Sequence, residues 1–194
     1  SRDLLDCLSK IDTTRSLLEI IATSTTDTVV LNREDSRIAS IASSLTPKQS
    51  VRYFGLSPDL TQLFPSDDDL HGTQSSTSSQ VAADVTLQSF SGSEATFTLG
   101  ATPVSTPLAL NGIYNVFNAA AALALVRAIL NEAINQDSLV NALSQVTPAF
   151  GRGETVIVQG QPVELILVKN PSGFRLGLKS FAAEGYATMI AIND

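Results

Sequence analysis

The sequence predicts an α/β fold in which a parallel sheet carries helices on its faces and includes a β-hairpin. Helical patterns alternate with short runs of β-branched residues near the start of the chain, where strands are expected at residues 27–31 and 51–54. This alternation is typical of parallel sheets, whose strands are connected through helices. A period-two pattern over residues 81–99, broken by a Ser-Gly-Ser turn at Gly92, indicates the hairpin.

Composition narrows the class of protein. The chain has 194 residues, 43% of them hydrophobic and 16% charged, with a net charge of −7. This length suits one domain or parts of two, and the acidic balance argues against nucleic acid as the main partner. No apolar run reaches membrane-spanning length, and the single cysteine, Cys7, excludes an internal disulfide. The expected location is the cytoplasm.

The first elements are two helices and two strands. A helix capped by Thr13 or Thr14 is expected to reach about residue 22, with Leu17, Leu18 and Ile21 facing inward. A second helix follows the first strand, and its apolar residues Ile38, Ile41 and Leu45 are spaced to face a core.

Polar residues follow the first strand, at the position where α/β proteins bind ligands. These residues are Asn32, Glu34 and Asp35. Asp35 has two interpretations, a ligand-facing residue or the N-cap of the next helix, for which aspartate is strongly favoured. Asp3 and Asp6 likewise suit either a site or a solvated turn.

Residues 57–80 are expected to form a long polar surface insertion. The stretch is of low complexity and contains three consecutive aspartates and the only histidine, His71. A solvated loop is favoured over a metal site, since metal sites need converging ligands. No metal ligand is therefore assigned.

The most informative stretch begins at residue 111. Residues 101–110, with two prolines, lead into it. Gly112 is a natural entry turn, Asn115 is expected to cap a helix that is apolar nearly all round, and Asn118 shares a face with Asn115. Two carboxamides there could read the edge of a purine, because an amide offers both a donor and an acceptor. The alternative is a capped core helix without a ligand.

The remaining elements are shorter. Asp137 is expected to cap a helix with Leu139, Val140 and Leu143 inward, and Pro148 then marks a domain boundary. Strands are expected at 155–158 and 163–168, the second central in a sheet, followed by a helix to about residue 184 and a strand at 187–192. Because the sequence stops just after a buried-type strand, the chain is expected to be a fragment.

Five ordered blocks resemble the Mur ligase superfamily. They are Arg2-Asp3, Asn32-x-x-Asp35, Gly112-x-x-Asn115-x-x-Asn118, Gly151-Arg152 and Lys169-Asn170-Pro171-x-Gly173-Phe174. The last block, with Ala191-Ile192-Asn193-Asp194, is most similar to the Mur-ligase-like subunit (MurT) of lipid II isoglutaminyl synthase.

The resemblance implies two domains. Residues 1–148 would be the C-terminal part of the central ATPase domain, with the insertion at 57–80, and residues 149–194 the beginning of a Rossmann-like C-terminal domain. No four-cysteine zinc ribbon is present at 57–80, where related proteins often carry one, so zinc is not expected.

The resemblance also implies an activity. The family uses ATP and Mg²⁺ to activate the α-carboxylate of D-glutamate in lipid II, and a glutaminase (GatD-like) subunit supplies ammonia, which gives D-isoglutamine in peptidoglycan synthesis. Asn115, Asn118 and Arg152 would bind the nucleotide, whereas Asn32, Asp35, Lys169 and Asn170 would face the cleft or the substrate. Catalytic residues are not assigned. The sequence lacks the G-x-x-x-x-G-K-[ST] phosphate loop, so the fragment is expected to be inactive within an active parent protein.

Two alternatives stay open. One is another Mur-type amide ligase, either folylpolyglutamate synthase-like or peptide-adding. The other is a module without catalytic activity that only docks a partner.

Overall fold

A computed structural model describes most of the chain, namely residues 2–64, 81–110, 112–130, 135–148, 152–169, 173–174, 177–178, 185 and 187–191; the side chains of residues 2–11 and 152 are outside this description. Five strands form one mixed sheet in the order β1-β2-β3-β4-β5. They are β1 (Thr28–Asn32), β2 (Ser50–Leu56), β3 (Val85–Ser91), β4 (Glu94–Leu99) and β5 (Thr102–Pro107).

The sheet is parallel on one side and antiparallel on the other. β1 pairs with β2 and β2 with β3 in parallel, and β3-β4-β5 forms an antiparallel meander. The predicted parallel strands and the predicted hairpin are therefore confirmed. β5 was not expected, because Pro103 and Pro107 favoured an irregular lead-in. Prolines are tolerated there since β5 lies at the edge of the sheet, where a strand lacks a second partner for its N–H groups.

Helices cover both faces of this sheet. They are α1 (Arg2–Ser24), α2 (Ser36–Ala39), α3 (Ile113–Ile129) and α4 (Gln136–Ser144), together with 3-10 helices at Ser40–Ser44 and Pro58–Leu63. The main core lies between the sheet and α3 and α4, with Phe97, Leu87 and Val85 fully buried. A smaller core around Ile41 lies on the opposite face, beneath α1 and α2.

The prediction from the sequence was wrong for the start of α1 and for its inward-facing residues. The helix begins at Arg2, so Thr13 and Thr14 lie inside it and do not cap it, and Asp3 and Asp6 lie in its first turns. The predicted inner residues Leu17, Leu18 and Ile21 are exposed, whereas Ala22 is buried. The side of α1 that meets the protein is held by polar contacts instead, because the side chain of Glu19 accepts a hydrogen bond from Ser44 and that of Gln49 donates to the carbonyl of Ala22 at 2.8 Å.

The caps of the two later helices also differ from the prediction. Gly112 is the N-cap of α3, with a φ of 88° that favours glycine, so Asn115 lies inside the first turn. Asn135 caps α4 by accepting the N–H of Asp137 at 2.8 Å, so Asp137 is not the cap. The predicted inward positions of α4 are confirmed for Leu139 and Leu143.

α3 is buried on one face only. Arg127 is buried at 7% exposure, while the apolar Leu125 and Ile129 are exposed. A helix that is apolar nearly all round was expected to lie in the core; one face does, and the opposite face is exposed. Three of its alanines, Ala119, Ala120 and Ala124, lie on the inner face and allow a close approach to the sheet.

The predicted insertion begins later than residue 57. Ser57 and Leu60 are buried, and Phe64 packs against the main core, so residues 57–64 belong to the folded domain. Residues 65–80, which include His71 and the three aspartates, lie outside the described residues.

The last two strands form a hairpin of their own, β6 (Arg152–Val158) and β7 (Gln161–Ile166). Gln159 and Gly160 form the two-residue turn, with φ values of 50° and 79°. β7 was predicted to be central, yet in the described part of the chain it pairs with β6 and is exposed over residues 161–164. Residues 187–191 form no strand. The helix predicted before them lies largely outside the described residues, as do residues 149–151 at the predicted domain boundary.

No helix in the described part of the chain is both long enough and apolar enough to cross a membrane.

Candidate functional site

Four consecutive polar residues end β1 at the carboxyl edge of the sheet. The side-chain oxygen of Asn32 accepts the backbone N–H of Glu34 at 2.9 Å and so closes a tight turn. Asp35 accepts the N–H groups of Arg37 and Ile38 at 2.9 and 3.3 Å. Asp35 is thus the N-cap of α2, one of the two interpretations that the sequence allowed.

Arg33 and Glu34 lie between these two and form an ion pair. Nε and Nη2 of Arg33 donate to the same oxygen, Oε1, of Glu34 at 2.9 and 2.8 Å. Both side chains are largely buried, with 18% and 17% of their surface exposed. Such a pair is less screened by solvent than one on the surface.

The pair also binds the backbone of β2. The regular ladder between β1 and β2 continues to the bond from the Arg33 N–H to the Phe54 carbonyl, at 2.9 Å. Beyond it, Glu34 Oε1 accepts the N–H of Leu56 at 2.8 Å, and Arg33 Nη2 donates to the Leu56 carbonyl at 2.6 Å. Two side chains therefore supply a further rung after the β1 backbone has turned away.

Gly55 makes room for this pair. A Cβ at this position would lie 2.5 Å from Glu34 Oε1 and 2.8 Å from Arg33 Cζ, which is closer than side-chain atoms approach each other. A side chain at this position would displace the ends of the Arg33 and Glu34 side chains, so glycine is favoured here by space and not by an unusual backbone angle.

The N-terminal end of α3 lies at the same end of the sheet as the four polar residues that end β1. Phe117, between Asn115 and Asn118 in the sequence, packs on Phe54 with ring centroids 5.3 Å apart and on Phe64 at 5.2 Å. Phe54 is the register partner of Asn32, and paired residues on adjacent strands point to the same face. The structure therefore brings Asn32 and the first two turns of α3 to one face at one end of the sheet.

The two predicted purine-reading residues differ in access. Asn118 is exposed and Asn115 is half-buried. An exposed carboxamide can exchange its water for a ligand at little cost, whereas a buried one must keep its protein partners. Asn118 is the better placed of the two to contact a ligand.

The remaining predicted site residues are Asp35, Lys169, Arg152 and Asn170. Asp35 lies at the same end of the sheet but starts α2, which packs on the opposite face. Lys169 is exposed after β7. Arg152 is the first residue of β6 and pairs with Ile166, but its side chain is not described, and Asn170 lies outside the described residues. Their nucleotide-binding and cleft-lining roles stay predictions.

Asp84 lies directly before β3 and binds two residues of β2. Its carboxylate accepts the N–H of Tyr53 at 2.9 Å and pairs with Arg52 at 3.0 Å, while its own N–H donates to the Tyr53 carbonyl at 2.8 Å. Burial raises the pKa of Tyr53 above its usual value of 10.0.

Both carboxylates at the end of β1 have partners within the protein. Glu34 binds Arg33 and Leu56, and Asp35 binds the amides of α2. No group of three or more His, Cys, Asp or Glu side chains converges anywhere in the described ranges. The exposed carboxamide of Asn118 offers the donor and the acceptor that the edge of a base requires.

Sequence reasoning missed Arg33 and Gly55. The available signal was an Arg-Glu pair directly after a buried strand, together with a glycine near the end of the next strand. Neither signal predicts a contact until the register of β1 against β2 is known.

The comparisons with known proteins bear on the fold. The sequence matches no protein-family model and no curated protein. Among solved structures, it is similar to a pseudomurein peptide ligase type C from Methanothermus fervidus, with a TM-score of 0.61 and 19% identity over 80% of this chain and 34% of that chain.

Two structures from Acinetobacter baumannii are also similar. One is MurF, with a TM-score of 0.55 and 19% identity over 79% of this chain and 28% of that chain. The other is UDP-N-acetylmuramoylalanyl-D-glutamyl-2,6-diaminopimelate--D-alanyl-D-alanyl ligase, with a TM-score of 0.54 and 18% identity over 79% of this chain and 29% of that chain. This chain thus spans about a third of their lengths or less. At such identities the likeness establishes the fold alone: the chain has the fold of one part of these proteins.

Proposed function

We propose that this chain is part of an ATP-dependent ligase of the Mur type, which forms an amide or peptide bond. The observation that supports this most is the position of Asn118, exposed at the amino end of α3 and on the same edge of the sheet as Asn32. The fold is shared with MurF and with two structures whose names are those of ligases. Fold alone does not determine function, so the proposal depends on the site.

The proposed role of this edge is to hold the nucleotide base. Asn118 would present its amide to the edge of adenine, and Asn115 would support it from one turn earlier in the helix. The rung made by Arg33 and Glu34 would keep the ends of β1 and β2 at a fixed distance, so that Asn32 and α3 face the ligand in one arrangement. The Mg²⁺ ligands and the phosphate loop would come from outside the described residues.

The finer proposal is amidation of the D-glutamate α-carboxylate of lipid II. In this reaction the γ-phosphoryl group of ATP passes to a carboxylate oxygen and ADP leaves. Ammonia from a glutaminase subunit then attacks the acyl carbon, phosphate departs, and the nitrogen loses a proton to give D-isoglutamine. The support is the Lys169-Asn170-Pro171-x-Gly173-Phe174 block of the sequence.

A peptide-adding ligase is the second candidate. It is favoured by the printed names of the similar structures, which are those of a peptide ligase and a D-alanyl-D-alanyl ligase. The two candidates activate a carboxylate in the same way and differ in the nucleophile, which is ammonia in one and an amino group in the other.

Calorimetric titration of ATP with Mg²⁺ tests the common part of the proposal. The titration uses the whole protein that contains this chain and a phosphate loop. Asn118→Ala is expected to weaken ATP binding about tenfold or more, the loss of one or two hydrogen bonds. Asn141→Ala, which removes an exposed carboxamide from α4, is the matched control and should leave the affinity unchanged. Equal affinities for all three proteins would overturn the assignment of this edge to the nucleotide.

A product assay separates the two candidates. Lipid II and ATP are supplied either with the glutaminase subunit and glutamine or with D-alanyl-D-alanine, and the product is identified by mass spectrometry. Amidated lipid II supports the finer proposal. A peptide-extended product contradicts it and supports the second candidate.

A further inference from the structure

The side chain of Asn32 uses its oxygen within the protein and leaves its nitrogen for a ligand. Its Oδ1 accepts the backbone N–H of Glu34 at 2.9 Å, which closes the turn at the end of β1. Among the described residues, no group accepts a hydrogen bond from Nδ2 of Asn32. An amide nitrogen donates and does not accept, so Asn32 offers two N–H donors to a ligand.

The direction of these donors is fixed by the residue that binds the oxygen. Glu34 is anchored to β2, because its carboxylate accepts the N–H of Leu56 at 2.8 Å and is paired with the guanidinium of Arg33. Turning the Asn32 amide over would set its N–H groups against the N–H of Glu34, donor against donor. The amide is therefore preorganised as a donor, and binding an acceptor costs it little rotational freedom.

Asn32 lies where a ligand can reach it. It is the last residue of β1, and ligands of α/β proteins bind at the carboxyl ends of strands. Its register partner Phe54 packs on Phe117 of α3, which precedes Asn118. Asn32 is half-buried, and a hydrogen bond is stronger there than in open water because the local dielectric constant is lower. An acceptor supplied by a ligand therefore gains more here than at an exposed position.

The charges next to Asn32 leave room for an anion. Two carboxylates, Glu34 and Asp35, follow it in the sequence. Glu34 is paired with Arg33 at 2.8 Å, and Asp35 accepts two backbone N–H groups at the start of α2. A carboxylate that is compensated in this way repels an incoming anion less than an unpaired one does. The repulsion that two adjacent carboxylates would exert on an anion is therefore reduced.

Asn32 and Asn118 differ in the chemistry that they can recognise. The exposed carboxamide of Asn118 offers both a donor and an acceptor, as the edge of a base requires. Asn32 offers donors, which suit a group that only accepts. Ionised carboxylates and phosphates are such groups, and their hydrogen bonds are roughly twice as strong as those between neutral partners. A cation or an amine would need the oxygen that Glu34 already occupies.

We propose that Asn32 binds an anionic oxygen of the ligand through its amide nitrogen. Two groups have this chemistry, a phosphate of the nucleotide and the carboxylate that the ligase activates. This assignment, which rests on the proposed function for the identity of the ligands, gives the two carboxamides separate roles. Asn118 contacts the base, and Asn32 contacts the anion.

Two substitutions test the role of Asn32 in the whole protein that contains this chain and a phosphate loop. Asn32→Asp keeps an oxygen for the N–H of Glu34 but replaces the donors by a second oxygen, which repels an anion. Asn32→Ser keeps a weaker acceptor for the turn and adds no charge, but its hydroxyl is too short to reach the ligand. Both variants should melt within about 4 °C of the native protein, since each keeps an acceptor for the turn.

Calorimetric titrations of ATP with Mg²⁺ and of lipid II in detergent provide the readout. One of the two affinities should fall about tenfold or more in Asn32→Ser and about 100-fold or more in Asn32→Asp, because a hydrogen bond to an ionised group is lost and then replaced by repulsion. Weaker ATP binding assigns Asn32 to a phosphate, and weaker lipid II binding with unchanged ATP binding assigns it to the carboxylate. Asn141→Asp adds the same charge on the exposed side of α4 and should change neither affinity.

Two outcomes would overturn the assignment. The first is an unchanged affinity for both ligands in both Asn32 variants. The second is a loss in Asn32→Asp that is absent from Asn32→Ser, since added charge alone would then explain it. Because Asn118→Ala tests the base separately, failure at Asn32 alone leaves the proposed function intact, whereas a native protein that binds neither ligand overturns both.

Discussion

Glu34 accepts the backbone N–H of Leu56 at 2.8 Å, one step beyond the last backbone rung between β1 and β2. Arg33 completes this rung by donating to the carbonyl of the same residue. The carboxylate and the guanidinium also bind each other, so neither charge is buried alone. The candidate site therefore lies at the end of the sheet where the side chains of Arg33 and Glu34 connect β1 to β2.

Gly55→Ala is expected to destabilise the protein by about 1–3 kcal/mol, the usual cost of overpacking a filled space. The added methyl group would meet the carboxylate of Glu34 at 2.5 Å and force the ion pair away from Leu56. Urea denaturation measures the change in the free energy of unfolding. The control repeats the substitution in a background that carries both Arg33→Ala and Glu34→Ala, where the side-chain atoms that the methyl group would meet are gone. If Gly55→Ala costs as much there as in the native sequence, the steric explanation is wrong.

The side chain of Asp35 is expected to affect the stability of the protein and not its affinity for ATP. Asp35→Ala is expected to cost about 1 kcal/mol, because two amides of α2 lose their acceptor. Asp35→Ser keeps a good N-cap and should restore most of this stability while removing the carboxylate. Thermal unfolding and ATP titration of both variants check this. Weaker ATP binding by a stable Asp35→Ser protein would show that the carboxylate has a second role.

Phe117 and Asn118 are adjacent but should behave in opposite ways. Phe117→Ala is expected to cost about 3–5 kcal/mol, because the ring packs between Phe54 and Phe64. Asn118→Ala is expected to change stability by no more than about 0.5 kcal/mol, as do most exposed substitutions. Chemical denaturation of the two variants measures both values. A large loss in Asn118→Ala would mean that its amide supports the fold and is not available to a ligand.

The parts of the fold that sequence predicted best are those with strong local patterns. The apolar run of β1 and the alternation of β3 and β4 are visible within a few residues, and each strand lies where it was expected to within about four residues. β5 was missed because Pro103 and Pro107 oppose a strand locally. Only its place at the edge of the sheet makes them acceptable, and that place is a property of the whole fold.

Helix boundaries were less predictable, because several neighbouring residues could serve as caps. Asn135 and Asp137 are both good N-caps, as are Gly112 and Asn115, and the choice depends on the backbone angles of the chain entering the helix. The orientation of α1 failed for another reason. Its predicted inner residues are exposed in the described part of the chain, because the side of the helix that meets the protein carries Glu19 and Ala22.

The residues of the candidate site also differ in whether local sequence rules could predict them. Asn32 and Asn118 follow from rules about strand ends and helix beginnings, which apply to any α/β protein. The rung of Arg33, Glu34 and Gly55 joins residues that are about 20 positions apart in the sequence, and it exists only in the register that pairs Asn32 with Phe54. Single-sequence patterns carry no information about register, so this part of the site could not be predicted.

Ionisation of Tyr53 is expected to lower the stability of the folded protein at alkaline pH. Burial raises the pKa of its phenol in the folded protein above the value of about 10 expected in the unfolded chain. A group whose pKa is raised by folding contributes stability that is fully present below the unfolded pKa and is lost as the pH rises through the folded pKa. The free energy of unfolding should therefore fall above about pH 10.

Tyr53→Phe removes this group while keeping the ring. The variant should lose less stability than the native protein between about pH 9 and pH 11, as measured by urea denaturation at each pH. Absorbance of tyrosinate provides a second readout, because the late part of the native titration should be missing in the variant. If the two proteins lose stability in parallel, ionisation of another group controls the alkaline transition and Tyr53 titrates without affecting it.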